Sequence, residues 1–223
     1  MIAGVDGCKD KWIAVVDLGN NQTDIREPCS FLELYEDRSL DLVVIDIPIG
    51  LPDRGDREAD LEARRFLGKC GVCVFTAPIR PILCCETWEE ACQKRASIEG
   101  KKISKQQFGI LDKVCEVDTT LRKVAAVKIK EGHPEISFAL MNGGVPLLSK
   151  HKTEGRQQRR DLLVKNHFPE VGQLDTSPIE RYKDILDAYA MLWTARRITS
   201  NGVRRFPSLA VKDKFGLSME IAA

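Results

Sequence analysis

The sequence lacks a long apolar run and an excess of charge of either sign. No apolar stretch approaches the roughly 18 residues that a membrane-spanning helix requires, so we expect no membrane association. The 34 Lys and Arg residues balance 33 Asp and Glu residues at a formal charge of +1. A near-neutral chain has no global positive field that would attract a phosphate backbone. Any contact with nucleic acid must therefore depend on local basic patches.

Internal repeats, low-complexity segments and a recognisable linker are also lacking. The chain of 223 residues is 43% hydrophobic and 30% charged, which is typical of a globular protein. Its length is within the range of one domain. We therefore expect residues 1–223 to form a single domain.

Cysteine, by contrast, is abundant, with eight residues. An even number would fit a disulfide framework in a secreted protein. No basic leader or apolar signal core precedes the first predicted strand, so we expect a cytoplasmic protein with reduced thiols. Cys70 and Cys73 have the C-x₂-C spacing of half a zinc site, but the adjacent Cys84 and Cys85 are awkward ligands for the other half. Buried or incidental thiols are the favoured interpretation.

Strand and helix patterns alternate along the chain, which predicts an α/β protein. Strands are predicted at 2–5, 12–18, 23–27 and 42–45, and helices at 31–37, 56–67, 87–98, 104–127 and 179–197. Ser30 has the spacing of an N-cap for the first helix. The continuous apolar strand at 42–45 is typical of a central strand buried on both faces. The last helix carries an apolar stripe at helical spacing.

Two aspartates end neighbouring predicted strands. Asp6 ends the first strand, and Asp46 follows the apolar fourth strand. Ligand sites of open α/β sheets form where strands end. A carboxylate within such an apolar segment is costly to desolvate without a partner, and a divalent cation is the usual one. Either residue alone could be a turn or cap aspartate, but together they predict a site.

Further acidic residues and a histidine complete this candidate site. Asp184 and Asp187 share one face of the last helix, although acids also accumulate near helix N-termini for electrostatic reasons. His133 and Glu135 form another cluster, in which a hydrogen-bonded turn histidine is the alternative for His133. Such a set of ligands fits Mg²⁺ or Mn²⁺, which would activate water and stabilise the leaving oxygen in phosphodiester cleavage.

A basic segment between residues 149 and 160 is the candidate phosphate-binding element. Lys150, Lys152 and Arg156 would hold phosphate through charge-assisted hydrogen bonds. Clustered cations are also common on solvated surfaces, and that alternative stays open.

Six segments resemble a widespread family, described as a domain of unknown function, whose members are predicted to be RNase H-like nucleases. They are GVDGCKDKW, VVIDIPIGLPD, READLEARRFLG, GHPEISFALMNGG, SKHKTEGRQQR and DILDAYAMLWTARR. The resemblance implies an RNase H-like fold: a mixed five-stranded sheet flanked by helices, with a helical insertion after the fourth strand, here residues 53–125. The order of acids is similar to that of the Holliday-junction resolvase branch. In that branch a first-strand Asp matches Asp6, a fourth-strand carboxylate matches Asp46, and a late-helix pair matches Asp184 and Asp187.

The residues and the resemblance together predict a metal-dependent nuclease or phosphodiesterase acting on nucleic acid or a small phosphodiester. The predicted ligands of two Mg²⁺ or Mn²⁺ ions are Asp6, Asp46 and Asp187, completed by Asp184, His133 or Glu135. One alternative is an ATP-binding phosphoryl-transfer protein of the actin and sugar-kinase branch. It fits less well, because the segment after Asp6 has a single glycine and no Ser or Thr. Another alternative is a non-catalytic nucleic-acid-binding module.

Overall fold

The computed structural model describes residues 1–9, 11–27, 30–123 and 128–223. Its strands are β1 (Ile2–Cys8), β2 (Lys11–Gly19), β3 (Gln22–Arg26), β4 (Leu42–Ile45), β5 (Ile129–Glu131), β6 (Arg205–Lys212) and β7 (Ser218–Ala222). Its α-helices are α1 (Phe31–Glu36), α2 (Glu58–Leu67), α3 (Trp88–Glu99), α4 (Lys105–Phe108), α5 (Leu111–Leu121), α6 (Pro134–Met141), α7 (Thr153–Lys165) and α8 (Ile179–Thr199). Among the described residues, no helix is long and apolar enough to cross a membrane.

Five strands form a mixed sheet in the order β3-β2-β1-β4-β5. The pairs β1–β2 and β2–β3 are antiparallel, whereas β1–β4 and β4–β5 are parallel. Strand β4 lies between β1 and β5, and all four of its residues are buried. The α/β class and the mixed five-stranded sheet expected from the sequence are therefore confirmed.

Helix α8 packs directly on β1. A Cβ atom at Gly4 would lie 2.0 Å from the backbone nitrogen of Leu192 and 2.2 Å from the carbonyl oxygen of Ala188. Only a residue without a side chain allows the helix backbone to approach this strand so closely. Residues 185–192 are all buried, so this part of α8 is covered on every side. The sequence predicted burial along one apolar stripe only. The close approach places the acidic residues of α8 at the level of β1.

The chain folds into two compact units. The first contains Met1–Ile47, the chain from β5 to Arg204, and Ala222–Ala223. Its core surrounds α8 and includes Ile13, Val15, Val44, Phe138, Leu163, Phe168, Ile185 and Tyr189. The candidate site residues all belong to this first unit.

The second unit contains the chain from Pro48 to α5 together with Arg205–Ile221. Its core includes Ile79, Ile82, Ala91, Ile103 and Leu111. The guanidinium group of Arg80 is buried and pairs with the carboxylates of Asp118 and Asp213. The helices of the predicted insertion lie in this unit, which also contains the unpredicted β6–β7 ribbon.

The helix predicted at 104–127 is two helices in the structure. Helix α4 begins with a capping box between Ser104 and Gln107 and ends before Gly109. Ile110 then has φ −107° and ψ 0°, which departs from regular helical geometry before α5 begins. Residues 124–127 of the prediction lie outside the described residues. The N-cap of the first helix is confirmed, since Ser30 accepts a hydrogen bond from the backbone of Glu33 at 3.3 Å.

Candidate active site

Two aspartates lie side by side where β1 and β4 run in parallel. The register pairs Val5 with Ile45, so Asp6 and Asp46 are the next residues of their strands. The backbone N–H of Asp46 donates to the carbonyl of Val5 at 3.0 Å, which extends the pairing. Asp6 is 8% exposed, and its Oδ1 accepts a hydrogen bond from the backbone of Gly7 at 2.7 Å. The parallel pairing therefore brings these two carboxyl groups together.

Helix α8 adds Asp187 to this pair, and the three carboxylates repel one another. Asp187 is completely buried. Burial raises the pKa of Asp6 well above its usual value, and the charges of Asp46 and Asp187 raise it further. Burial also raises the pKa of Asp46; His133 opposes that shift and Asp187 adds to it. The three residues thus form one acidic group, which we call the Asp6–Asp46–Asp187 cluster.

Asp184 lies at the border of this cluster. It is half-buried, and burial raises its pKa, an effect that a hydrogen bond with the thiol of Cys8 opposes. Burial and the same carboxylate raise the pKa of Cys8 to about 11. Cys8 therefore stays a protonated thiol at neutral pH and acts as a hydrogen-bond donor, not as a nucleophile.

Lys150 supplies positive charge to the cluster. Its ammonium group pairs with Oδ2 of Asp187. The charge of Asp187 raises the pKa of Lys150, and Asp6 and Asp46 contribute in the same direction. The other oxygen of Asp187, Oδ1, is buried and accepts no hydrogen bond from any residue that the structure describes. A buried carboxylate oxygen without a partner is costly, so the cluster as it stands is incompletely satisfied.

His133 and Glu135 lie close to Asp46 but have different contacts. His133 caps α6, where its Nδ1 accepts a hydrogen bond from the backbone of Glu135 at 3.2 Å. In the neutral ring the proton is then on Nε2. The two oxygens of Glu135 accept hydrogen bonds from Nη2 of Arg159 at 2.8 and 2.7 Å. Glu135 thus has a firm partner outside the cluster, whereas His133 acts on Asp46 and lowers the pKa of that carboxyl.

The predicted phosphate-binding residues lie in three different surroundings. Lys150 belongs to the acidic cluster, and Lys152 is exposed just before α7. Nη1 of Arg156 donates to the carbonyl oxygens of Lys150 and His151 at 3.2 and 3.0 Å. Arg156 therefore holds the segment that carries Lys150. Among the described residues, only Lys150 of the three pairs with a carboxylate of the acidic cluster, and phosphate binding by these residues stays a prediction.

Arg159 was not among the predicted site residues. It is 1% exposed and, besides Glu135, contacts the carbonyl oxygens of Leu148 and Gly155, both at 2.7 Å. The sequence contains one sign that this segment packs tightly against α7, since Gly155 interrupts the run of basic residues. A Cβ atom at Gly155 would lie 2.1 Å from the carbonyl oxygen of Ser149, so the segment before α7 folds tightly against the helix.

The chemistry of the donors fits a divalent cation. Carboxylate oxygens are the ligands that Mg²⁺ and Mn²⁺ prefer. The unpartnered Oδ1 of Asp187 and the repulsion between Asp6 and Asp46 are what an added positive charge would relieve. In the described part of the chain, however, no three His, Cys, Asp or Glu side chains are already arranged as ligands of one ion. At Asp187 the ammonium group of Lys150 supplies the positive charge that a metal ion would supply.

The cysteines do not form disulfides among the residues that the structure describes. Cys8, Cys70, Cys73, Cys84, Cys85, Cys92 and Cys115 are all thiols. Cys29 lies outside the described residues. The cellular compartment, and with it the redox state of the thiols, stays a prediction.

Comparison with known proteins gives a family and no activity. A family model described as "Protein of unknown function (DUF429)" matches residues 4–210. No curated protein and no solved structure matches the chain. The match includes every residue of the acidic cluster and the segment that carries Lys150.

Proposed function

We propose a function for this chain, which belongs to the DUF429 family of proteins of unknown function: it is a metal-dependent phosphodiesterase that hydrolyses nucleic-acid phosphodiester bonds. One observation carries the proposal. The carboxylates of Asp6 in β1, Asp46 directly after β4 and Asp187 in α8 act on one another electrostatically, and a buried oxygen of Asp187 has no partner among the described residues. Most buried polar atoms of structural sites are hydrogen-bonded, so this oxygen favours a missing ligand.

The fold supports the same proposal. The mixed five-stranded sheet is the one that an RNase H-like fold implies, and it supports our proposal that the chain has that fold. Asp6 and Asp46 come directly after Val5 and Ile45, the last pair of the parallel register between β1 and β4. Asp187 comes from the late helix, as in the resolvase branch. The proposal rests on these positions and on the chemistry of the side chains, since fold alone does not determine function.

Asp6, Asp46 and Asp187 would hold the cation, with Asp184 and His133 next to them. A divalent cation supplies positive charge that lowers the pKa of water and stabilises the leaving oxygen of a phosphodiester. Burial of Asp6 and Asp187 keeps solvent away from their charges, which strengthens their attraction for a cation. Glu135 and Arg159 hold α6 and α7 together, and their role in the proposal is to position His133 and Lys150.

A cleavage assay tests this function. The full chain is incubated with end-labelled single-stranded, duplex, hybrid and branched oligonucleotides in Mn²⁺, in Mg²⁺ and in EDTA. We expect cleavage in Mn²⁺ or Mg²⁺ and none in EDTA. Asp6→Asn should reduce the rate by at least ~10³-fold, because it removes a ligand charge without changing the size of the side chain.

Asp161→Asn is the matched control, since it removes the same charge from an exposed position on α7. Its rate should equal that of the wild type. Cleavage that persists in EDTA, or in Asp6→Asn at the rate of the control, contradicts the proposal. A nucleotide-dependent rise in melting temperature without any effect of oligonucleotides would favour the ATP-binding alternative.

A further inference from the structure

The segment that carries Lys150 is fixed by side chains of the helix that follows it. Arg156 donates to the carbonyl oxygens of Lys150 and His151 at 3.2 and 3.0 Å. Gln158 accepts a hydrogen bond from the backbone of Leu148 at 3.0 Å, and Arg159 donates to the carbonyl of the same residue at 2.7 Å. Long side chains that bind a loop in this way remove its freedom before any ligand arrives.

Close packing adds to this restraint. The carbonyl oxygen of Ser149 accepts a hydrogen bond from the backbone of Lys152 at 3.0 Å, which makes a tight turn around Lys150. Gly155 lies against that carbonyl so closely that a side chain there would overlap with it. Backbone contacts and side chains of α7 therefore both fix the turn. In this position the ammonium group of Lys150 pairs with Asp187.

The surroundings of Lys150 are those of an internal cation, not of a phosphate-binding lysine on the surface. Its side chain is 33% exposed, whereas that of its partner Asp187 is 1% exposed. The charge of Lys150 also lowers the pKa of Asp6, Asp46 and Asp184, whereas burial raises the pKa of each. One lysine thus faces the whole acidic group from the side of the 149–152 turn.

We infer that Lys150 is the built-in cation of this site, and that it competes with a divalent cation for the carboxylate of Asp187. This inference rests on the proposed function, because it concerns the same cluster. In the metal-free protein the ammonium group stabilises Asp187 and keeps the acidic cluster folded. When a divalent cation binds Asp187, the ammonium group leaves that carboxylate and becomes available to a substrate phosphate. The same lysine thereby limits metal binding and links it to phosphate binding.

Binding of Mn²⁺ to the full chain tests the competition without measuring activity. Free Mn²⁺ is determined by electron paramagnetic resonance in titrations of the wild type, Lys150→Met and Lys152→Met. The two variants lose the same charge within one turn, but Lys152 is exposed before α7. We expect Lys150→Met to bind Mn²⁺ about tenfold more tightly than the wild type, which corresponds to ~1.4 kcal/mol. Lys152→Met should bind like the wild type.

Labelling of the wild type gives a second measurement, which does not depend on the variants folding. Acetic anhydride is applied at trace level, and fragment-ion mass spectrometry compares acetylation of Lys150 with that of Lys152. We expect Lys150 to be protected several-fold in EDTA, because two thirds of its side chain is covered and its ammonium is paired. Mn²⁺ should increase labelling of Lys150 and leave that of Lys152 unchanged.

The outcomes separate this inference from the proposed function. Equal Mn²⁺ affinity of the wild type and Lys150→Met overturns the competition and leaves the metal-dependent function standing. Labelling of Lys150 that equals that of Lys152 in EDTA, or that Mn²⁺ does not change in a protein that binds it, also overturns the competition alone. If neither the wild type nor Lys150→Met binds Mn²⁺, both proposals fail.

Discussion

Replacing Asp6 by Asn should stabilise the metal-free protein while it abolishes cleavage. Asp6 is buried beside Asp46 and Asp187, and these surroundings raise its pKa well above the usual 3.8. A carboxyl whose folded-state pKa is raised contributes stability below its unfolded pKa and loses that contribution as the pH rises through the folded pKa. Above pH 3.8 Asp6 is therefore harder to ionise in the fold than in the unfolded chain, and this difference lowers the stability of the folded state. Asn keeps the acceptor for the backbone N–H of Gly7 and removes the charge.

The magnitude follows from linkage. Each unit by which folding raises a carboxyl pKa reduces stability by ~1.4 kcal/mol once the group is ionised. The ammonium of Lys150 already offsets part of the repulsion, so we expect Asp6→Asn to gain about 1–2 kcal/mol, which is within the range common for single stabilising substitutions. For a chain of this size that gain corresponds to a rise in Tm of roughly 2–8 °C.

Urea denaturation at pH 7.5 in EDTA, followed by circular dichroism, measures this difference. Asp161→Asn, on the exposed surface of α7, should stay within about 0.5 kcal/mol of the wild type. Asp187→Asn should show no gain and a loss of about 1 kcal/mol or more, because it leaves the ammonium of Lys150 without its partner. The advantage of Asp6→Asn should also shrink as the pH falls toward 4. An Asp6→Asn variant less stable than the wild type at pH 7.5 would refute the electrostatic reasoning.

Two further substitutions test the packing of α8. Gly4→Ala should destabilise the fold by about 3 kcal/mol or more in urea denaturation, since its Cβ would lie 2.0 Å from the backbone of Leu192. Gly172→Ala is the control, because the nearest contact of its Cβ would be at 3.7 Å. Equal losses of stability in the two variants would show that α8 does not constrain β1. Burial raises the pKa of Tyr189 to about 12, so its contribution to stability should be present below pH 10 and fall by about 1–2 kcal/mol as the pH rises toward 12. Tyr189→Phe should lack that fall, and an identical pH profile of the two proteins would contradict the shift.

The parts of the fold that the sequence predicts are those with strong local patterns. The apolar run at 42–45 becomes the buried strand β4, and the Ser30 cap begins α1 as its spacing indicates. The position of Asp46 directly after β4 also follows from the sequence, whereas β1 continues past Asp6 to Cys8, so that Asp6 lies within its strand and pairs with Ile13 of β2. These features depend on residues close in the chain or on one parallel pairing.

The missed elements have weak or interrupted local patterns. Strand β6 contains Pro207, and Pro within a strand pattern argues against that assignment. Its Leu209 is 85% exposed while Phe206 is 2% exposed, so hydrophobicity does not report burial there. In the predicted helix at 104–127, a short turn at Gly109 and Ile110 divides α4 from α5. Composition alone does not locate such a break.

The contacts of the basic segment could not be predicted for a different reason. Lys150 pairs with a residue 37 positions away, and Arg159 with Glu135, 24 positions away. A basic segment in a sequence has the same appearance whether its cations face solvent, a phosphate or an internal carboxylate. The local arrangement of charges therefore leaves the partner undetermined, and only the tertiary structure distinguishes these cases.

This distinction changes how the near-neutral charge of the chain relates to function. A phosphodiesterase must bring a polyanion to a cluster of carboxylates, and that approach is unfavourable unless positive charge intervenes. The segment at 149–160 directs Lys150 inward and uses Arg156 to hold its own backbone. Less of its charge is then available to attract phosphate from solution than the sequence indicates. Under the proposed function, the charge that makes the approach favourable would come from the cation held by the cluster and from Lys150.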